Sequence, residues 1–222
     1  MSNYVIEVKN LVKKYDGRDP ILDGISFSVE ENEFVTIYGK SGCGKTTLLN
    51  ILGGLDRPTS GEVEIRGTDI VGLGEDELAR IRLKEIGFVF QDYNLMTDLT
   101  VRENVALPLK FSRKRGGGRI DELLRRFEIQ EIADVTANKI SGGEAQRTAI
   151  ARALMNEPRI ILADEPTGNL DSENTRKVIE TLCSVIKDFG TTVVLATHDK
   201  EIASRSSRSI RIVEGKAVLE TA

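Results

Sequence analysis

The sequence contains no apolar run that approaches the roughly 20 residues needed for a membrane-spanning helix. Its first residues, MSNYVIEVKN, lack the basic-then-apolar pattern of a signal peptide. Two cysteines, Cys43 and Cys183, are too few for a disulfide framework and are typical of a reducing compartment. The net charge of −4 argues against general nucleic-acid binding. These absences predict a cytosolic protein that has no membrane segment of its own and binds no nucleic acid.

The pattern of strands and helices indicates an α/β fold. Apolar residues make up 40% of the 222 positions, enough for a substantial core. Half-exposed strands alternate in polarity near the N-terminus, and buried strands then alternate with helices. This order predicts a phosphate-loop NTPase core with a mostly parallel sheet and an N-terminal antiparallel β region. Buried strands are predicted at 34–37, 86–90, 160–163 and 191–197.

The region 92–139 has a different character, because helical patterns replace strand signals there. Thr100 is predicted to cap one helix, Pro108 to interrupt it, and residues 120–127 to form another. We therefore expect a single domain over 1–222, with a core of residues 1–91 and 140–222 and an inserted helical subdomain. A basic run at 113–119, RKRGGGR, is predicted to be a solvated loop tip. Contact with anionic lipid or an acidic partner is the alternative for this run.

A phosphate-binding loop follows the first buried strand, at the start of a helix. The glycines allow backbone N–H groups to surround phosphate oxygens, and the helix N-terminus adds a favourable dipole. Lys45 supplies charge for the β- and γ-phosphates, and Thr46 supplies a hydroxyl for Mg²⁺. A glycine-rich turn that binds nothing is the plainer alternative, but every fixed position of GxxxxGK[ST] is present. The predicted nucleotide-binding residues here are Gly39, Lys40, Ser41, Gly42, Cys43, Gly44, Lys45, Thr46 and Thr47.

Three other buried strands end in polar side chains, and ligands of such sheets gather at the carboxyl ends of strands. Asp164 is placed to hold Mg²⁺, and Glu165 to orient and deprotonate an attacking water. The only histidine, His198, could bond the γ-phosphate or the water. Gln91 could bond both Mg²⁺ and the water. Taken singly, each has a plainer reading as a helix cap, turn or packed residue.

Ser141, Gly142 and Gly143 begin a later helix and offer a second set of free N–H groups. Serine is an ordinary N-cap, but two glycines directly after it weaken a helix. They are explained if a phosphate must approach the backbone closely. Since the chain already has one phosphate cradle, a second one suggests that it completes the site of another molecule.

Together these motifs resemble the nucleotide-binding subunit of an ATP-binding-cassette (ABC) transporter, from about Val5 to Gly215. The resemblance implies binding of ATP with Mg²⁺ and hydrolysis of ATP. In the family's terms, Gly39–Thr46 is the Walker A motif, Gln91 the Q-loop, and 160–165 the Walker B motif with Glu165 as catalytic base. Ile140–Glu144 matches the signature motif, so Glu144 joins the predicted nucleotide contacts, as do Asp171 of the D-loop and Tyr15, an adenine-stacking aromatic. His198 is the switch histidine.

The resemblance also implies partners. Two copies would face each other head to tail, with two ATP molecules between them, and would move a separate membrane permease. The run ADEPTGNLD resembles the lipoprotein-release, macrolide-export and FtsE-like subgroup. The expected location is the inner face of the cell membrane, reached through the permease. The alternatives are a soluble ABC ATPase or an FtsE-like regulator not coupled to transport, and a module that binds ATP without turnover.

Two features depart from the family pattern. The signature has Ile140 and Glu144 in place of leucine and glutamine, so a negative charge is expected near the nucleotide, where it could weaken the closed dimer or change its rate. Cys43 occupies a variable position of the phosphate loop, beside a helix N-terminus and Lys45. We expect a reactive thiol there, so that thiol reagents block ATPase activity and ATP protects.

Overall fold

The computed structural model describes residues 4–17, 19–112 and 116–221. Two sheets and the helices around them account for most of these residues. The strands are β1 (Tyr4–Lys13), β2 (Leu22–Glu30), β3 (Phe34–Tyr38), β4 (Ser60–Ile65), β5 (Thr68–Asp69), β6 (Ile86–Val89), β7 (Ile160–Asp164), β8 (Thr192–Thr197), β9 (Arg208–Val213) and β10 (Lys216–Thr221). The α-helices are α1 (Lys45–Leu52), α2 (Glu75–Glu85), α3 (Val101–Ser112), α4 (Gly117–Arg126), α5 (Gly142–Ala153), α6 (Ser172–Phe189) and α7 (Lys200–Ala203).

The larger sheet has the strand order β10-β9-β3-β8-β7-β6, and the smaller has the order β2-β1-β4-β5. The neighbours from β9 to β6 all pair in parallel, while β10 and the whole smaller sheet are antiparallel. The predicted fold class is therefore confirmed, including the antiparallel region near the N-terminus.

The parallel strands are buried because helices or the smaller sheet cover their faces. All five residues of β3 and all six of β8 are buried, as expected for strands that read as continuous apolar runs. One core cluster fills the space between the two sheets around α1, and the other packs α5 and α6 against the opposite face. These two layers hold the strand ends of the larger sheet in a fixed arrangement.

Within 92–112 and 116–139 the structure contains α3, α4 and a short 3₁₀ helix at Ala137–Lys139. Thr100 caps α3 as predicted: its hydroxyl accepts from the Glu103 N–H at 3.2 Å, and its own N–H donates to Glu103 Oε2 at 2.8 Å. The predicted interruption at Pro108 is wrong, because α3 runs through it. Burial of Val101 and Val105 anchors the helix, so packing outweighs the one backbone hydrogen bond that proline removes.

Part of the basic run, residues 113–115, lies outside the described residues. None of the helices that the structure does describe has the length and apolarity of a membrane span.

Candidate active site

The polar residues predicted at four strand ends meet at one edge of the larger sheet. Strands β3, β8, β7 and β6 are adjacent and parallel, so their carboxyl ends point the same way. Tyr38 pairs with Thr197, and Asp164 with Ala196, so the residues that follow them start at nearly the same height. The phosphate loop, His198, Glu165 and Gln91 therefore face a common space, in the order in which the strands lie.

The phosphate loop leads from β3 into α1 without any side chain closing the helix end. Gly44 stands at the N-cap with φ 104°, a left-handed conformation that suits glycine. A Cβ added there would also lie 2.7 Å from Leu22 Cδ2. The helix has neither a side-chain cap nor an acidic residue in its first turn. Its first N–H groups and positive dipole end are thus left for an anion.

Lys45 lies at the start of α1 and is only 5% exposed. Its ammonium group donates to the carbonyls of Gly39 and Lys40 at 3.1 and 3.3 Å, which holds the side chain back along the loop. It also forms an ion pair with Glu165 Oε1 at 3.4 Å. A buried cation is thus held beside the loop by partners that phosphate oxygens could replace.

Glu165 joins the lysine of the loop to the histidine of the neighbouring strand. Its second carboxylate oxygen, Oε2, contacts His198 Nδ1, and its N–H donates to the Ala196 carbonyl at 3.0 Å. Its backbone has φ 42°, an uncommon conformation for a residue other than glycine. Strained backbone of this kind is concentrated at functional sites, where the surrounding structure fixes it. The carboxylate is therefore oriented on both sides.

Thr46 and Asp164, the residues predicted to hold Mg²⁺, are joined by a hydrogen bond. The threonine hydroxyl donates to Asp164 Oδ1 at 3.2 Å. Burial raises the pKa of Asp164, although this hydrogen bond opposes the shift. A hydroxyl and a carboxylate are the hard oxygen donors that Mg²⁺ prefers. The described residues contain no group of three or more His, Cys, Asp and Glu that could hold a metal ion.

Gln91 follows β6 and lies against the turn after Glu165. A Cβ added to Gly168 would be 3.0 Å from Gln91 Nε2, so this glycine allows the amide to approach. The Asn169 amide donates to the Gln91 carbonyl at 3.3 Å. The strand end that carries Gln91 is therefore joined to the segment that carries Glu165.

The second cradle is closed by its own side chains. Ser141 is the N-cap of α5, and its hydroxyl accepts from the Glu144 N–H at 3.4 Å. Glu144 turns back, so that Oε2 accepts from the Ser141 N–H at 2.8 Å and from its hydroxyl at 2.6 Å. These hydrogen bonds from Ser141 lower the pKa of Glu144. The signature carboxylate forms a capping box in the free chain.

Two residues that the sequence did not single out pack against the glycines of this cradle. A Cβ on Gly142 would lie 2.9 Å from the Tyr93 hydroxyl oxygen, and one on Gly143 would lie 2.6 Å from Asn174 Oδ1. Asn174 is bound in turn to Asp171, the N-cap of α6, through its backbone N–H and its amide, each at 2.8 Å. The spacing of Asp171 and Asn174 is a capping pattern that could have identified Asn174.

Tyr15 lies on the segment after β1 and is 44% exposed. Its hydroxyl donates to Asp56 Oδ2 at 2.9 Å, and Lys13 Nζ lies 4.7 Å from the centroid of its ring. Sequence analysis identified neither Lys13 nor Asp56. Cys43 is half-buried and packs against the core between the sheets; its predicted reactivity stays a prediction.

Comparison with known proteins assigns this arrangement to a family. Residues 22–168 match the family model described as "ABC transporter". The chain is 43% identical over 218 residues to the bacitracin export ATP-binding protein BceA of Halalkalibacterium halodurans, covering 96% of this chain and 86% of that protein. It is 39% identical over 228 residues to the lipoprotein-releasing system ATP-binding protein LolD 1 of Chlorobium chlorochromatii, covering 99% of this chain and 93% of that protein.

This chain matches less than a third of the length of a third relative. The macrolide export ATP-binding/permease protein MacB of Syntrophobacter fumaroxidans is 43% identical over 219 residues, which cover 95% of this chain but 31% of that protein. Among solved structures, the ATP-binding cassette MJ0796, a dimer in a post-hydrolysis state bound to ADP and Pi, superposes with a TM-score of 0.88 at 42% identity. That match covers 97% of this chain and 98% of MJ0796.

Proposed function

This chain belongs to the ABC transporter family of ATPases, and we propose that it hydrolyses ATP between two of its own copies to drive a separate membrane permease. The observation that carries the proposal is the Glu165 carboxylate, held between Lys45 and His198 beside an uncapped helix start. A nucleotide that only had to be bound would not need an oriented base. The arrangement therefore supports turnover over a regulatory module that merely binds ATP.

Each residue at the sheet edge has a role in this reaction. Phosphate oxygens take the place of Glu165 at the Lys45 ammonium group, which frees one carboxylate oxygen. Glu165 then accepts a proton as water attacks the γ-phosphorus and the bond to the β-phosphate bridging oxygen breaks. His198 keeps Glu165 oriented and would bond the γ-phosphate. Gln91 would bond the attacking water.

Thr46, Asp164 and Gln91 would hold Mg²⁺, which would neutralise charge on the phosphates when bound. The contacts that remain for the nucleotide come from the other residues of the loop, from Gly39 to Thr47, and from Tyr15, whose exposed ring we assign to stacking on adenine.

The second cradle is proposed to complete the site of another copy. Gly142 and Gly143 begin α5 and offer backbone N–H groups, whereas the Ser141 N–H donates to Glu144 within the capping box. They suit an anion brought by a partner. Asp171 and Glu144 lie beside them and would contact the same nucleotide. The dimeric structure of the similar cassette MJ0796 supports two copies as the working unit.

An apolar groove supports the permease as a further partner. A cavity of about 550 Å³ lies between β6, α2, α3 and α5. Phe111 on its rim is 70% exposed. The groove touches both β6, which leads to Gln91, and the helical region 92–139, which we propose moves as one subdomain. Its apolar lining includes Leu83, Phe88, Phe90, Leu107, Pro108 and Phe111.

Docking of a permease there would place the chain on the inner face of the cell membrane. The relatives named as export and lipoprotein-release components support this location.

Co-purification tests the proposal directly. We would tag the Glu165→Gln variant, solubilise membranes gently in the presence of ATP, and identify bound proteins by mass spectrometry. We expect a multi-span membrane protein in stoichiometric amount, and Phe111→Asp should release it while the ATP-dependent dimer persists. A dimer with only soluble partners would refute the proposed permease partner and favour a soluble ABC ATPase. That result would leave the proposed ATPase chemistry unchanged.

A further inference from the structure

Asp56 lies four residues beyond the end of α1 and gathers three hydrogen bonds. Its Oδ1 accepts from Lys13 Nζ at 2.6 Å and from the Arg57 N–H at 2.7 Å, and its Oδ2 accepts from the Tyr15 hydroxyl at 2.9 Å. Burial raises the pKa of Asp56, but the bonds from Lys13, Tyr15 and Arg57 outweigh it and lower the pKa overall. The group that anchors the phenol is therefore a carboxylate at neutral pH.

Lys13 fixes the same ring from another direction. It is 9% exposed, and its ammonium group also donates to the Arg57 carbonyl at 2.7 Å. The same nitrogen lies 4.7 Å from the centre of the Tyr15 ring, within the range of a cation–π contact. One face of the ring is thus covered by a buried cation, while the residue as a whole keeps 44% of its surface exposed.

Two contacts of different kinds therefore restrain a side chain that would otherwise be free at the surface. The hydrogen bond fixes the hydroxyl end of the ring, and the cation fixes the ring plane. Ordering a side chain on binding costs affinity, and a side chain that is already ordered avoids that cost. A restrained ring with one open face is prepared to stack on a planar group.

We propose that Asp56 and Lys13 are positioning residues that hold Tyr15 as a preformed platform for the base of the nucleotide. This inference rests on the proposed nucleotide site. Neither residue touches the nucleotide; they act through the tyrosine. A role in the fold alone is the competing explanation, since the neighbouring Thr59 hydroxyl also accepts from the Lys14 N–H at 2.9 Å.

The test separates binding of the adenine base from binding of the phosphates. We would measure dissociation constants of ADP and of inorganic pyrophosphate by calorimetry. The wild type would be compared with Asp56→Asn, Lys13→Gln, Tyr15→Phe and Tyr15→Ala. Glu75→Gln is the matched control, because Glu75 pairs with Arg57 of the same loop at 3.3 Å but not with Tyr15.

We expect Tyr15→Ala to weaken ADP binding at least about 5-fold, the scale of a base–aromatic stack. Three further variants should each weaken ADP binding about 3- to 10-fold by loosening the ring: Asp56→Asn, Lys13→Gln and Tyr15→Phe. The dissociation constant of pyrophosphate should stay within about 2-fold of the wild-type value in every variant, since a loosened ring leaves the phosphate contacts intact. Asp56→Asn combined with Tyr15→Phe should weaken ADP binding little more than Tyr15→Phe alone, because Asp56 acts on the ring through the hydroxyl that Tyr15→Phe removes.

Three results would overturn the inference or its premise. Equal losses of ADP and pyrophosphate in Asp56→Asn would mean that Asp56 only supports the loop. Unchanged ADP binding in Asp56→Asn and Lys13→Gln, with a loss in Tyr15→Ala, would mean that the ring needs no positioning. Unchanged ADP binding in Tyr15→Ala would instead refute the proposed base contact itself.

Discussion

Two helix N-termini of the chain are proposed to bind phosphate, and they differ in what surrounds them. The start of α1 has no cap and no acidic residue, and a buried lysine and the Glu165 carboxylate stand beside it. The start of α5 is capped by its own serine and carries Glu144 in its first turn. Both ends offer N–H groups and a helix dipole. Only the first adds charged groups that could perform chemistry, so phosphate binding and catalysis are separable in this fold.

The difference follows from the positions of the two helices. The first helix follows the central strand β3, so neighbouring strand ends deliver Glu165 and His198 to it. The second helix follows the helical region 92–139. Its glycines lie beside Tyr93 and beside Asn174 of α6. We therefore propose that the second end is a binding surface that requires the first end of another copy.

The strongest test of the first cradle is Glu165→Gln. Removal of the base should lower kcat by about 10²- to 10⁴-fold, while ATP still binds because the loop and Lys45 remain. Turnover under saturating ATP and binding of ATP would be measured in parallel. The control is Glu173→Gln, an exposed carboxylate paired with Lys177. Turnover that survives Glu165→Gln would remove the base from the mechanism.

Mixing two inactive variants tests whether the two cradles belong to different copies. Lys45→Ala disables the first cradle, and Gly143→Asp disables the second with a charge and a Cβ that meets Asn174. A 1:1 mixture contains dimers with one intact composite site, and independent sites would restore up to about a quarter of wild-type turnover.

Gly72→Asp is the control for the mixture, since a Cβ there meets nothing within 4 Å. The mixture could show no more turnover than its two components. In that case either the composite site is wrong, or a dimer hydrolyses ATP only when both of its composite sites are intact.

A third prediction concerns the cost of preparing the first cradle. Asp164 keeps a carboxylate partly out of water, and burial raises its pKa. Asp164→Asn removes that charge but keeps an oxygen for the Thr46 hydroxyl. We expect it to raise the melting temperature without Mg²⁺ and nucleotide, by about 2–4 °C per kcal/mol regained in a chain of this size. ATPase activity should fall sharply. A lower melting temperature would show that the carboxylate is already compensated in the free chain.

The smallest effect is expected at the second cradle, from Glu144→Gln. Hydrogen bonds from Ser141 lower the pKa of Glu144, so its carboxylate stabilises the fold above the ordinary pKa of 4.5 and loses this effect as the pH falls through the lowered value. We expect a loss of under about 1 kcal/mol at pH 7, which disappears in acid. ATPase activity should change by less than about 3-fold, because glutamine can also close a capping box and stays beside the proposed nucleotide.

Glu103→Gln is the matched control for Glu144→Gln, since Glu103 closes the same kind of box with Thr100 on α3. Both variants should lose similar stability in thermal unfolding. A large increase in turnover in Glu144→Gln alone would show instead that its charge opposes the nucleotide.

Local patterns predicted most elements of the fold. Helix α6 ends where Gly190 takes φ 62°, and β7 and β8 lie where continuous apolar runs predict buried strands. The interruption at Pro108 failed because buried residues on α3 hold the helix together. Propensity describes one segment at a time, whereas packing acts between segments.

By itself, the sequence determined the chemistry that is present: the phosphate loop, the carboxylates, the lone histidine and the serine–glycine helix start. Each is a short run whose spacing carries its own physical meaning. The tertiary structure alone decided which groups meet. It joined Lys45 to Glu165 and tied Tyr15 to Asp56, 41 positions away. Those contacts depend on strand order and loop paths, which no local pattern encodes.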